Sequence, residues 1–254
     1  MSELLLLNPF TGEQVALPSV ITIQHVKAIF DESGTIHKYQ LSYYTEEKVY
    51  KAPENHTLKD LRQHFYYKAF VFPEQSTGSY IVVLIHNPHS ELSFARPGDD
   101  KWTWLPPNTR YRDCAYMNSL LYVLTSVGEI HAFDLTGSTI TRTVIMTQVK
   151  HYIYESMYLI SAPWGDLLQV WRIVDNRNDV EHDEDEDATP LLYITHKILV
   201  YKVDMVAKEL VKINSLPCHM LFLGHNLSFC LNAADHPQLE AIMPTTLMIT
   251  KNWL

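Results

Sequence analysis

The sequence predicts an all-β fold, propeller-like, with about five blades of antiparallel strands. Paired runs, their spacing and a recurrent closing proline are the observations that predict it. Short apolar runs come in pairs joined by turn residues. The run at 81–85 (IVVLI) leads through Asn87-Pro88 into 92–95 (LSFA), and 120–125 (LLYVLT) leads through Gly128 into 130–135 (IHAFDL). Likewise 158–161 (YLIS) leads through Pro163-Trp164-Gly165 into 167–174 (LLQVWRIV), and 220–223 (MLFL) through Gly224 and Asn226 into 227–231 (LSFCL). A run, a short connection bearing Gly, Pro or Asn, and a second run is the pattern of a hairpin.

The first runs begin near Tyr80, Leu120 and Met157, about 40 residues apart, which is the length of a propeller blade. The next begins near His219, after a longer interval that an inserted polar loop at about 175–190 would explain. Some hairpins are followed by a run ending in Leu-Pro: Trp102-Thr103-Trp104-Leu105-Pro106, and the run that ends at Leu216-Pro217. The N-terminal Gln14-Val15-Ala16-Leu17-Pro18 ends the same way. Proline lacks the N–H that a ladder needs, so it suits the close of an outer strand. Two hairpin strands and an outer strand, repeated radially, protect strand edges that would otherwise aggregate.

The remaining elements follow from local chemistry. Residues 21–30 and 38–44 read as an antiparallel pair about the turn Asp31-Glu32-Ser33-Gly34, and Leu58, Leu61, Arg62 and Phe65 permit one short helix after Thr57. The 254 residues, 46% of them apolar, are enough for a substantial core, and the 15 Tyr and 5 Trp suit half-buried pleated surfaces. The whole chain, 1–254, is expected to form a single domain.

The net charge of −9 disfavours nucleic acid and anionic lipid as partners. Cys114, Cys218 and Cys230 are too few and too dispersed for a disulfide framework or a zinc site, which points to a reducing compartment, cytoplasm or nucleus. The sequons at Asn55 and Asn226 then carry no glycan. No stretch is long and apolar enough to span a membrane.

No catalytic pattern stands out: GxSxG, HExxH, P-loop and Rossmann glycines are all missing. No metal or other cofactor is expected. The 13 histidines are dispersed, and His86 and His89 read as solvent-facing turn residues. An enzymatic propeller would need carboxylates converging on its axis, for which Asp113, Asp134 and Asp166 are the candidates, at unlike strand positions. The acidic run Glu181–Asp187 reads as a solvated insertion, because consecutive like charges resist packing. Among the tryptophans, Trp102 and Trp171 suit the core, whereas Trp104 and Trp164 are the candidate partner-binding residues. Trp164 leads, because it lies in a turn beside Pro163 and Gly165, where binding residues are commonly displayed. Arg96 and Asp99 flank the turn Pro97-Gly98, as a structural pair or as part of a partner surface.

An ordered set of motifs carries a family resemblance. Leu6-Leu7-Asn8-Pro9-Phe10-Thr11-Gly12-Glu13 with Leu17-Pro18, then Leu92-Ser93-Phe94-Ala95-Arg96-Pro97-Gly98-Asp99 with Trp102-Thr103, open the series. Tyr111-Arg112-Asp113, Tyr122-Val123-Leu124, Gly128-Glu129-Ile130 and Phe133-Asp134 continue it, followed by Tyr158-Leu159-Ile160-Ser161, Gly165-Asp166-Leu167-Leu168-Gln169-Val170, Val200-Tyr201-Lys202-Val203-Asp204 and Leu221-Phe222-Leu223-Gly224-His225-Asn226. Together they resemble the KIB-type β-propeller of plant F-box-associated proteins. The resemblance implies a non-catalytic module that recruits a target protein, with an F-box linking it to ubiquitination.

Family members usually carry an F-box and further propeller ahead of the Leu-Asn-Pro motif, where this sequence starts, and its C-terminus departs from the family after Leu239. The propeller is thus expected to be incomplete relative to the family, and direct Skp1 binding is not expected. The implied role is adaptor or competitor in ubiquitin-linked target recognition; a channel-site enzyme and a non-functional truncated copy are the alternatives. The N-terminal runs at 4–7 and 14–17 are expected to close the ring by pairing beside residues 219–231.

Overall fold

The computed structural model describes residues 4–44, 48–74, 78–107, 109–149, 156–176, 193–236 and 247–249. The fold is mostly β. Strands β1 (Leu5–Leu7) and β2 (Gln14–Ala16) form a small hairpin. The first sheet holds β3 (Val26–Phe30), β4 (Ile36–Tyr44) and β5 (Val49–His56). Helix α1 (Leu58–His64) leads into the second sheet, β6 (Tyr66–Glu74), β7 (Ser79–His86), β8 (Glu91–Ala95) and β9 (Thr103–Trp104).

The third sheet is β10 (Tyr111–Met117), β11 (Leu120–Thr125), β12 (Ile130–Asp134) and β13 (Thr141–Met146). The fourth is β14 (Ser156–Ser161), β15 (Leu167–Asn176), β16 (Tyr193–Asp204) and β17 (Glu209–Ile213). In the fifth, β18 (His219–Leu223) lies between β19 (Phe229–Asn232) and β20 (Leu247–Ile249). These are five blade-like sheets, and within the first four every neighbouring pair is antiparallel.

Successive sheets are glued face to face, which explains the apolar runs. On β7, Ile81, Val83 and Ile85 face the core shared with the third sheet, while Val82 and Leu84 face the core shared with the first. A strand buried on both faces needs apolar residues at every position rather than alternate ones. The same division places Leu124 and Trp171 in the core between the third and fourth sheets, and Val170, Leu168 and Leu221 between the fourth and fifth.

The inner strands are pinned by polar contacts. Lys68 of β6 donates to Asp113 of β10 at 3.1 Å, and the other oxygen of Asp113 accepts the Leu159 N–H of β14 at 2.9 Å. At the neighbouring end, Asn226 accepts the Ala69 N–H, so the fifth sheet also reaches β6.

The spacing read from the sequence was near the true one but out of phase. The inner strands β6, β10 and β14 begin at Tyr66, Tyr111 and Ser156, an even step of about 45 residues. The runs at 81–85 and 120–125 are second strands, whereas 158–161 is a first strand. β6 carries a weaker sequence signal because charged residues, Lys68 and Glu74, occupy buried positions on either side of its short run Ala69-Phe70-Val71-Phe72.

Two further expectations are corrected. The N-terminal runs do not pair beside β18: β1 and β2 pair with each other, and β18 takes β20, in parallel, on the side away from β19. Leu17 and Leu4 pack with the first and second sheets instead, held by the bond from the Trp102 indole N–H to the Pro18 carbonyl at 2.9 Å. His86 is buried rather than solvent-facing, because its ring packs inward between the end of α1 and β8. Its ring stacks on Phe65 at 4.9 Å, and Nε2 meets the Ser93 hydroxyl at 2.8 Å.

The short helix forms where expected, with a reciprocal cap between Thr57 and Asp60. Trp102 and Trp171 are buried as expected. The acidic run, with most of the proposed insertion, lies outside the described residues. No helix among the described residues is long and apolar enough to cross a membrane.

Candidate functional site

The turn between β14 and β15 presents Trp164. Its backbone closes through the Ala162 N–H to the Asp166 carbonyl at 2.8 Å and the Gly165 N–H to the Ala162 carbonyl at 2.9 Å. Gly165 sits at φ +90°, which a side chain would strain. The indole is 42% exposed yet held: Nε1–H donates to Asp166 Oδ2 at 2.8 Å, and the ring meets His219 of β18 edge to face at 4.5 Å. Lys202 of β16 reaches the other Asp166 oxygen at 2.8 Å. Partial burial alone would raise the Asp166 carboxyl, but Lys202 and the indole outweigh it and hold it below the ordinary carboxylate range. An aromatic face fixed by three elements loses little side-chain freedom when a partner covers it.

The other three candidates sit differently. Arg96 turns away from Asp99 and grips Glu74, with Nε at 3.2 Å and Nη2 at 2.9 Å, and donates to the Leu135 carbonyl of the third sheet at 3.0 Å. Asp99 closes the turn by accepting the Arg96 backbone N–H at 2.8 Å. Trp104 is half-buried, its ring 6.3 Å from that of His25. The structure therefore does not gather the four into one patch. Trp164 is the one displayed, and Arg96 with Asp99 forms a separate, partly exposed corner.

Sequence reasoning did not find a second aromatic and basic cluster, near the starts of the inner strands. Arg112 donates to the Tyr67 hydroxyl at 3.3 Å, and the His225 ring lies 5.9 Å from Tyr67, with Nε2 3.0 Å from the Tyr67 carbonyl. No local motif signals a contact between residues so far apart in the chain.

The carboxylates considered for catalysis are separately engaged. Asp113 is buried against Lys68, Asp134 accepts from Thr136, and Asp166 serves Trp164 and Lys202. Among the described residues, no group of three His, Cys, Asp or Glu could hold a metal ion.

Buried titratable groups instead set the acid response. His86 has its imidazole pushed down to about 4 by burial. As pH falls, the unfolded chain takes a proton near the ordinary value of about 6.5 while the folded chain resists until about 4. Stability is therefore full above about 6.5, and about 3 kcal/mol of it is lost by pH 4. His86→Gln is expected to flatten that slope relative to the parent in urea titrations at pH 7, 5.5 and 4. Glu91, whose carboxyl burial pushes up, is present in both proteins and drops out of the comparison. Equal slopes would rule out His86 as the source.

Stacked antiparallel sheets whose inner strands are pinned to one another define a β-propeller-like fold. The chain belongs to the KIB1-4 beta-propeller family, whose model matches residues 1–243. It is similar to three proteins of Arabidopsis thaliana. It is 28% identical to F-box only protein 7 over 135 residues, covering 52% of this chain and 33% of that protein. It is 29% identical to F-box protein KIB4 over 136 residues, again 52% and 33%. With the putative F-box protein At5g55150 it shares 22% over 223 residues, 87% of this chain and 53% of the relative. The chain spans between a third and about half the length of these relatives. This is a plant propeller family associated with F-box proteins, which suggests a protein-interaction role.

Proposed function

We propose that the chain is a non-catalytic recognition module, acting as adaptor or competitor in ubiquitin-linked target recognition. The observation that carries this reading is Trp164, a large, 42% exposed indole held at the surface by Asp166 and His219. Exposed, preorganised tryptophans concentrate binding energy. Arg96 and Asp99 would contribute a second contact, and Trp104, half-buried near His25, a third. In this reading the propeller holds the target protein, Skp1 is not held directly by it, and the working compartment is cytoplasm or nucleus.

The test is quantitative affinity capture from plant extract with the chain and Trp164→Ala in parallel, alongside a direct assay with purified Skp1. We expect Trp164→Ala to lower recovery of a target about tenfold or more while leaving the melting temperature unchanged. Equal recovery by both proteins would sink Trp164 as the recognition residue, and a stable complex with Skp1 alone would sink the adaptor reading.

A further inference from the structure

A second surface lies on the outer side of the fourth sheet. Strand β16 runs from Tyr193 to Asp204, and β15 lines one side of it over nearly its whole length. On its other side β17 pairs with Val200 through Asp204 only, its last partner pair being Val200 with Ile213. Among the described residues, no strand pairs with the outer edge of β16 ahead of Val200. An exposed ladder edge is a template for another strand.

Beside that edge the structure leaves a groove of about 400 Å³. Ile198, Val200 and Ile213 share one face of the sheet, packing with Leu216 and Leu221. Lys197 and Lys212 lie on the opposite face, since side chains alternate and Lys212 pairs with Tyr201. Both lysines are exposed, and neither has a carboxylate partner among the described residues.

We propose that this edge receives an extended peptide from a partner protein, as an added strand in line with β17, in which apolar and acidic residues alternate. Main-chain hydrogen bonds to β16 would supply affinity, and alternate side chains would supply selectivity. Apolar residues would enter the groove beside Ile198, Leu216 and Leu221, and carboxylates would face Lys197 and Lys212. Lysines on an edge ordinarily discourage pairing, and here the same property becomes a filter. A second copy of this chain would set lysine against lysine, whereas an acidic strand neutralises both.

The surface is distinct from the Trp164 turn, so the two can be tested separately. The probe is a fluorescein-labelled eight-residue peptide alternating Val and Glu, titrated by anisotropy against the full chain. Two comparison peptides carry N-methyl groups at alternate residues, or Lys in place of Glu. We expect saturable binding of the Val/Glu peptide and at least tenfold weaker binding of both comparison peptides. Lys197→Glu with Lys212→Glu, two exposed changes that leave melting unaltered, should reverse the preference toward the Val/Lys peptide.

Absence of saturable binding at millimolar chain overturns the proposal, and so does equal binding of the N-methylated peptide, which would mean charge attraction without strand addition. Binding that emerges only when residues 178–189 are replaced by a Gly/Ser linker would assign the edge to the chain's own acidic run instead. A dimer in light scattering that the double substitution dissolves would assign it to a second copy. Either result also overturns a partner peptide as occupant.

Discussion

Asp113→Ala is expected to lower the unfolding free energy by about 3–5 kcal/mol, because it strands a buried charge. The Asp113 carboxylate is 1% exposed and meets the Lys68 ammonium, itself 7% exposed, at 3.1 Å. Its second oxygen accepts the Leu159 N–H at 2.9 Å. Truncation leaves an ammonium without its counter-charge and an inner-strand donor without an acceptor, and it does so where three sheets converge. A domain of ordinary stability, about 5–15 kcal/mol, loses a large share of its margin.

The pair itself contributes far less than its rupture costs, since burying two charges consumes most of their attraction. Joining Lys68→Met to Asp113→Leu should therefore recover most of the loss. Urea midpoints of the parent, the single variant and the double variant decide the matter. A single-variant loss below about 1 kcal/mol, the scale of exposed pairs, would show that the contact does not pin the inner strands.

Trp102→Ala should cost a similar amount, about 3–5 kcal/mol for an aromatic removed from a packed core. Trp102 is 3% exposed and packs with Leu17, Val20 and Ile23 between the N-terminal segment and the second sheet. Its indole N–H reaches the Pro18 carbonyl at 2.9 Å, and its own backbone N–H reaches the Thr22 hydroxyl at 3.0 Å. Trp102→Phe keeps most of the apolar contact and loses the indole bond, for about 1–3 kcal/mol from the unsatisfied carbonyl.

The location of the damage separates this variant from the first. With Trp102→Ala, limited proteolysis should first release the β1–β2 hairpin, because this tryptophan fastens the chain just after it. Asp113→Ala should open the inner strands instead. Identical cleavage in the two variants would contradict the anchoring role.

What was legible in the sequence was whatever local chemistry encodes. The run at 81–85 is apolar at every position because each face of β7 meets a different core, and Thr57 with Asp60 announces the helix cap. Trp164 could be placed in a displayed turn because Pro163 and Gly165 flank it. The phase of the blades was not legible. In β6 the buried Lys68 and Glu74 interrupt the apolar pattern that β7 keeps over 81–85, so the period mixes second strands of two sheets with the first strand of the next. Nor could the sequence show that Arg96 would abandon Asp99, three residues away, for Glu74. That choice needs β6 and β8 brought side by side through β7.

The sequence by itself determined an all-β chain of repeated hairpins, its blade length and its family, because periodicity, turn residues and ordered motifs are properties of neighbours along the chain. Only the tertiary structure decided which strands lie innermost, where the N-terminal hairpin docks, that His86 is buried, and that β17 pairs with only the last part of β16. Those outcomes depend on pairing and desolvation between residues tens of positions apart. The free energy of such contacts is set by what surrounds them once folded, and it leaves no trace in local composition.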